Sequence, residues 1–371
     1  MTDDGTARGT SNRLDRRSFL AATGVGVSGL VAGCSGGSSS DGTETTTSDD
    51  SGTTQPTTKT PGSGVETFQA AASHYPIVPS GLIFPVSQQQ GFYEEQGLEL
   101  GKVTSFGGGG TTIRGVVTGG IPIAGGSGAG VIKAFTSGAP VHIIANIDEP
   151  PPIDVVTPAS SDIETIQDLA GKTVGFTNPG SVSQQLLAAS IESADGISLD
   201  EVTLKAMGGL GETISGLDEG IIDAGWSNIT VSIPRIESGD WRRVYGTWEY
   251  AKIPNLVLLA GQRTIEEQPE FLQGVVDAHA KAGEFYRNNT GEVAKLWADL
   301  WDNIDRPLAE KVLEKKLEIS HVGVWPNSFR KSSLENLARA MHLSGILDQG
   351  TPPWDQILDQ RFLPEADRVQ M

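Results

Sequence analysis

Ile113-Arg114-Gly115-Val116-Val117-Thr118-Gly119-Gly120-Ile121 is answered 101 positions later by Ile214-Ser215-Gly216-Leu217-Asp218-Glu219-Gly220-Ile221-Ile222. Each phrase reads as a helix stopped by glycine, then a strand that runs into small residues. Helix-glycine-strand junctions are common, so the echo marks either a recurrent junction or one βαβ unit present in two similar lobes. Outward from the two phrases, short apolar runs alternate with helical patterns, the order expected of parallel α/β sheets. Strands are expected at 68–74, 98–104, 121–125, 141–147, 153–157, 173–177, 202–207, 221–226, 243–247 and 256–260. Helices are expected at 81–90, 111–118, 128–136, 181–192, 211–218 and 227–237, and the chain beyond Ile265 reads as mostly helical. The apolar runs 153–157 and 256–260 bracket the second phrase and are the natural crossings between lobes. Lobe one is then 66–153, lobe two 154–257, and 258–371 a return to lobe one with C-terminal helices. Two crossings make a hinged clamp, with ligand expected in the cleft at strand C-termini.

The N-terminal third of this reading is about export. Asp15-Arg16-Arg17-Ser18-Phe19-Leu20 opens an apolar, glycine-rich stretch ending at Gly33. It is about half the ~20 strongly apolar residues a spanning helix needs, so it reads as a secretory signal. The arginine pair points to twin-arginine export. Cys34, the one cysteine of the chain, follows Val31-Ala32-Gly33 and is expected to take a lipid and become the mature N-terminus. A lone thiol excludes an intramolecular disulfide, a cysteine-based zinc site and an iron–sulfur cluster. Residues 34–65 are almost all Ser, Thr, Gly and Asp and are expected to form a disordered tether. Gly24-Val25-Gly26-Val27-Ser28-Gly29 satisfies a dinucleotide-binding pattern but lies inside the signal, after no strand.

Charge narrows the partners. Without residues 1–33, which hold four basic and three acidic side chains, 23 basic groups face 43 acidic ones, a balance of −20. Nucleic acid and anionic membrane are poor partners for such a surface. Acidity with few lysines is expected of a protein working in concentrated salt, where the Debye length falls to about 3 Å, the alternative being an ordinary acidic secreted protein.

Five helix starts follow strands through small residues: 107–112, 126–130, 177–183, 208–213 and 226–228. Each start exposes unpaired N–H groups and the positive end of a helix dipole, a setting that binds anions. Gly109, Gly110, Thr111, Ser127, Gly128, Asn178, Gly180, Ser181, Ser183 and Asn228 are the candidate ligand-binding residues there. Each is also a plain helix cap in the ordinary reading. His74 and Tyr75 after the first strand, and Trp226 before the last helix start, supply flat walls. Arg114, Lys133 and Arg235 lie beyond the first helical residues, so binding is expected to rely on backbone N–H groups and hydroxyls. Trp241, Trp248, Trp297, Trp301, Trp325 and Trp354 read as packing. The histidines are dispersed, so no metal site is expected, and no cofactor or catalytic residue is assigned. Asn228-Ile229-Thr230 and Asn288-Asn289-Thr290 are glycosylation sequons, of which Asn288 is the better placed.

Gly91-Phe92-Tyr93-Glu94-Glu95-Gln96-Gly97-Leu98, Ser105-Phe106-Gly107-Gly108-Gly109-Gly110-Thr111, Ile166-Gln167-Asp168-Leu169-Ala170-Gly171-Lys172-Thr173-Val174-Gly175 and Gly220-Ile221-Ile222-Asp223-Ala224 occur in that order. The set resembles the substrate-binding proteins of nitrate, sulfonate and taurine importers, relatives of thiamine-pyrimidine-precursor binders. The resemblance implies a two-lobed type II periplasmic-binding fold with a hinge cleft. It also implies capture of a small anionic or polar ligand for an ABC permease and its ATPase, by a monomer on the outer face of the membrane. The first phrase is expected to terminate a helix and pack. A lipoprotein that senses ligand for a membrane receptor, and an enzyme resembling thiamine-pyrimidine synthases, are the alternatives.

Overall fold

The computed structural model describes residues 58–59, 65–106, 109–320, 323–348 and 350–371; the signal-like stretch, Cys34, most of the tether and the pair Gly107–Gly108 lie outside them. The strands are β1 (Thr58–Lys59), β2 (Glu66–Ser73), β3 (Leu98–Phe106), β4 (Ile123–Ser127), β5 (Val141–Asp148), β6 (Ile153–Pro158), β7 (Thr173–Phe176), β8 (Thr203–Ala206), β9 (Ala224–Asn228), β10 (Trp241–Gly246) and β11 (Leu256–Gly261). The helices are α1 (Ile83–Gln89), α2 (Gly109–Val117), α3 (Gly128–Thr136), α4 (Val182–Ser193), α5 (Leu210–Asp218) and α6 (Ile229–Glu237). The C-terminal set is α7 (Gln262–Glu267), α8 (Pro269–Asn288), α9 (Thr290–Leu300), α10 (Arg306–Ile319), α11 (Lys331–Leu343) and α12 (Trp354–Ile357).

Two sheets share one topology. The first runs β3-β2-β4-β11-β5 and the second β8-β7-β9-β6-β10. The sheets are mixed, not purely parallel as the alternation suggested. In the first, β11 runs antiparallel to both neighbours; in the second, β6 does. Both are the strand laid down when the chain arrives from the other sheet, so each enters from the opposite end. The chain crosses in residues 149–152 and returns in 247–255. The two apolar runs bracketing the second phrase thus follow the crossings. β11 is buried along its whole length, and each such Leu or Val contributes roughly 1.5–3 kcal/mol.

The echo is structural. α2, β4 and α3 begin at 109, 123 and 128; α5, β9 and α6 begin at 210, 224 and 229, each 101 later. Gly119 and Gly220 hold the same left-handed turn, with φ of 76° and 70°, which costs a side chain its ordinary backbone. Ser127 pairs with Leu256 across the first sheet as Asn228 pairs with Ile153 across the second.

Helices cover both faces of each sheet. One apolar cluster joins β2, β4, β5 and β11 to α1, α8, α9 and α10; another joins the opposite face to α2, α3 and α11. Smaller clusters lie on the two faces of the second sheet. Tyr93 of the glycine-bounded phrase is fully buried, its hydroxyl 2.6 Å from His279 Nε2, so that phrase packs lobe one. Thr58–Lys59, inside the expected tether, pairs antiparallel with Glu66–Thr67. β4 reaches only Ala70–Ala72 of β2 and leaves that edge free for it. Among the described residues no helix is long and apolar enough to cross a membrane.

Candidate functional site

β2 ends in His74, which takes a left-handed backbone (φ 58°) that is uncommon outside glycine. His74 is exposed, yet the walls around it remove enough water to push its imidazole below the ordinary value. Tyr75 is half-buried, and desolvation raises its phenol. Trp297 holds the following loop by donating its indole N–H to Pro76 O at 2.7 Å. Beside it, Ser73 Oγ lies 3.1 Å from Thr112 Oγ1, which fastens the strand end to the first turn of α2. Gly109 starts α2, and Gly110 and Thr111 are exposed there, with open space over Gly110. Arg114 donates to Thr111 Oγ1 at 3.1 Å, so a cation does reach this start, contrary to the reading that placed it out of range.

In the second lobe the loop between β7 and α4 is tied to itself. Ser181 caps α4 by accepting from Gln184 N, and its Oγ lies 3.0 Å from Ser183 Oγ. Ser183, buried, also accepts from Thr177 N at 3.0 Å. Gly180 N donates to Gln184 Oε1 at 2.7 Å, so this N–H is already used. Asn178 Nδ2 reaches Gly208 O at 3.0 Å and joins this loop to the start of α5. α5 carries Glu212 in its first turn, a carboxylate where an anion was expected. Gly180 has φ of 84° and packs against Ile346, so valine there would strain the backbone as well as block a ligand.

The remaining two starts serve the hinge. Ser127 caps α3 and Asn228 caps α6, as expected of caps. Their first helical N–H groups, however, are spent on the crossings. Gly128 N donates to Asn255 O at 3.1 Å and Ile229 N to Pro152 O at 3.1 Å. Gly128 and Asn228 are buried. At these two starts the N–H groups of Gly128 and Ile229 hold the segments that join the lobes, which leaves fewer donors for an anion beside Ser127 and Asn228. Burial also makes Asn228 a poor glycan acceptor, whereas Asn288 is exposed.

Trp226, half-buried on β9, keeps its indole Nε1 sealed from solvent and without a hydrogen-bond partner. Gln185, missed by the sequence reading, is fully buried; its Nε2 bonds Gly180 O and Ser181 O at 3.3 Å each, and its Oε1 has no partner. A buried glutamine one turn into a helix carries no sequence signal of this kind. The lobes touch where Thr230 Oγ1 donates to Ile77 O at 3.4 Å, in the loop that carries Tyr75. Chemically the set offers aromatic faces, hydroxyls and one guanidinium. The Ser181 and Ser183 hydroxyls bond each other and Thr177, not a histidine or carboxylate. Among the described residues no group of three or more His, Cys, Asp or Glu is arranged to hold a metal.

Residues 80–292, more than half of the chain, match the family described as NMT1/THI5 like. The chain belongs to this family. It is 28% identical to the formylaminopyrimidine-binding protein of Halalkalibacterium halodurans, over 69% of this chain and 77% of that protein. Its fold is that of the periplasmic aliphatic sulphonate binding protein SsuA from Escherichia coli, with TM-score 0.65 and 16% identity over 82% of this chain and 96% of that one. The periplasmic nitrate-binding protein NrtA from Synechocystis PCC 6803 gives TM-score 0.63 and 13% identity over 81% and 88%. These NMT1/THI5-like and periplasmic-binding relatives are binding proteins, and the two-sheet architecture described above is theirs.

Proposed function

We propose that this chain is the extracytoplasmic, lipid-anchored solute-binding protein of an ABC importer, a clamp whose lobes are the two sheet units. The observation that carries the reading is the pair of sheets with one topology, joined by two crossings, in a member of the NMT1/THI5-like family. Such a molecule closes on its ligand by rotation about the crossings. Export and anchoring rest on Arg16, Arg17 and Cys34, and the acidic composition suits concentrated salt.

The ligand class is a polar, pyrimidine-like ring in preference to a bare anion. Two of the five expected anion sites are engaged by the hinge, a third has its Gly180 N–H occupied, and a fourth carries Glu212. What remains is largely aromatic: Tyr75, Trp226 and His74, with the Gly110–Thr111 start and the single guanidinium of Arg114 that reaches it. The greater identity to the formylaminopyrimidine-binding relative than to the sulphonate and nitrate binders supports the same choice. Calorimetric competition between formylaminopyrimidine, an alkanesulfonate and nitrate tests it. Formylaminopyrimidine should bind tightest, and Trp226→Ala should weaken it about tenfold, as losing a stacked indole costs about 1.4 kcal/mol. Preferential binding of nitrate, unaffected by Trp226→Ala, refutes the ligand class. For the anchor, Cys34→Ser should release the exported chain from the membrane; continued firm attachment refutes it.

A further inference from the structure

Helix α10 presents three lysines to three different moving parts. Lys311 pairs with Glu237 at the end of α6, a helix of the second sheet unit, at 2.5 Å. Lys315 lies 5.9 Å from the centre of the Trp248 ring in the returning crossing, and Arg243 of β10 lies over the same ring at 4.9 Å. Lys316, buried, pairs with the equally buried Asp148 and donates to Pro150 O in the outgoing crossing. Asp148 is where the crossings meet, because Asn255 N donates to Asp148 O at 2.8 Å and Asn255 Nδ2 to Asp148 Oδ2 at 3.3 Å. Spaced i and i+4, Lys311 and Lys315 share one face of the helix, and Lys316 lies about 100° further round, on the buried side.

A groove of about 460 Å³, walled by Pro234, Glu237, Asp302, Leu308 and Lys311, runs between α6 and α10. The Lys311–Glu237 pair lies on the wall of this groove, on the exposed side of the apolar contact made by Ile229, Ile233, Leu308, Val312 and Leu313. The two pairs respond differently to salt, since Lys311 and Glu237 are half exposed and screened, while Lys316 and Asp148 are not.

We propose that Lys311 and Lys316 of α10 are positioning residues that hold the ligand-free clamp at one angle between lobes. They set how much of the molecule is ready to capture solute, although neither is a cleft candidate. The proposal rests on the clamp reading above. When the row is loosened, the lobes rock over a range of angles. Apparent affinity then falls with the competent fraction, roughly tenfold if a tenth remains.

Pulsed electron-electron resonance between spin labels tests this. Labels go on Ser137→Cys, exposed at the end of α3, and Lys205→Cys, exposed on β8, in a chain whose one native thiol is removed by Cys34→Ser. Without ligand, the otherwise native chain should give one narrow distance. Lys311→Gln, an exposed change that leaves packing intact, should broaden it. The charge-neutral pair Lys316→Met with Asp148→Asn should broaden it further. Added salt should widen the native distribution only to that of Lys311→Gln. Native-like distributions in both variants overturn the proposal. Saturating formylaminopyrimidine on the native chain separates the two claims. A distance that moves with ligand, with variants that do not broaden, sinks the lysine row and keeps the clamp. Variants that broaden, with a distance no ligand moves, keep the row and sink the clamp.

Discussion

Ser127 and Asn228 cap helices at equivalent places in the two sheet units, and Ser181 caps a third helix with the same chemistry to a different end. Behind the first two, the opening N–H of the helix is given to a crossing segment, Gly128 to Asn255 and Ile229 to Pro152. Behind Ser181, the nearby N–H of Gly180 is given to Gln184 in the first turn of the same helix. A helix start is thus a joint in one setting and a shaped rim in the other. Cap residues alone do not tell which, because the decision lies with the group that comes to meet the N–H.

The largest effect is expected on the joint side. Lys316→Met alone leaves Asp148 charged and buried beside both crossings, and should cost about 3–5 kcal/mol in denaturant unfolding. A loss below about 1 kcal/mol would mean the joint is held by packing. A buried neutral pair offers the next contrast. His279, bonded to Tyr93 in the lobe-one core, has its pKa lowered to about 3 by desolvation. Below pH ~6.5 the unfolded chain takes a proton that the folded chain refuses, so stability falls as pH falls towards about 3. Between pH ~6 and ~4 this amounts to about 2–3 kcal/mol. His279→Gln should flatten that slope in chemical unfolding at the two pH values, and an unchanged slope would assign it elsewhere.

Smaller effects sharpen the division between joint and rim. Asn228→Ala and Ser181→Ala should each cost about 1 kcal/mol as lost caps. Only Ser181→Ala should also change which ligand is preferred, since Asn228 acts through the crossing. Equal shifts in ligand preference would erase the distinction. Smallest of all, Lys311→Gln should change stability by about 0–1 kcal/mol, less still in high salt, because both partners are half exposed. A larger loss would show that the pair is more than a spacer.

Much of this architecture is legible in the residues. The ten expected strands lie within three residues of the observed β2–β11, because apolar runs such as Leu256–Gly261 and glycine stops such as Gly119 are local signals. Strand order is not local, and the antiparallel β6 and β11 look like any buried run until their neighbours are known. The same limit applies to the site. Nothing in Ser127 or Asn228 announces a carbonyl from a distant crossing, and nothing in Gln185 announces an unpartnered oxygen. Counting helical positions puts Arg114 out of range, whereas its long side chain folds back to Thr111. Trp226 is expected to be a wall from its place at a strand end, and its buried, unpartnered Nε1 is visible only from the packing around it.

The central claim, a clamp that captures a pyrimidine-like solute and leaves it unchanged, is tested most directly by one calorimetric titration. Formylaminopyrimidine is added to the purified chain in high salt, and the ligand is recovered afterwards for mass analysis. The account predicts saturable one-to-one binding with a negative heat-capacity change, from apolar surface closing around the ring, and recovery of the ligand intact. Absence of saturable binding, or recovery of a chemically altered product, would contradict it.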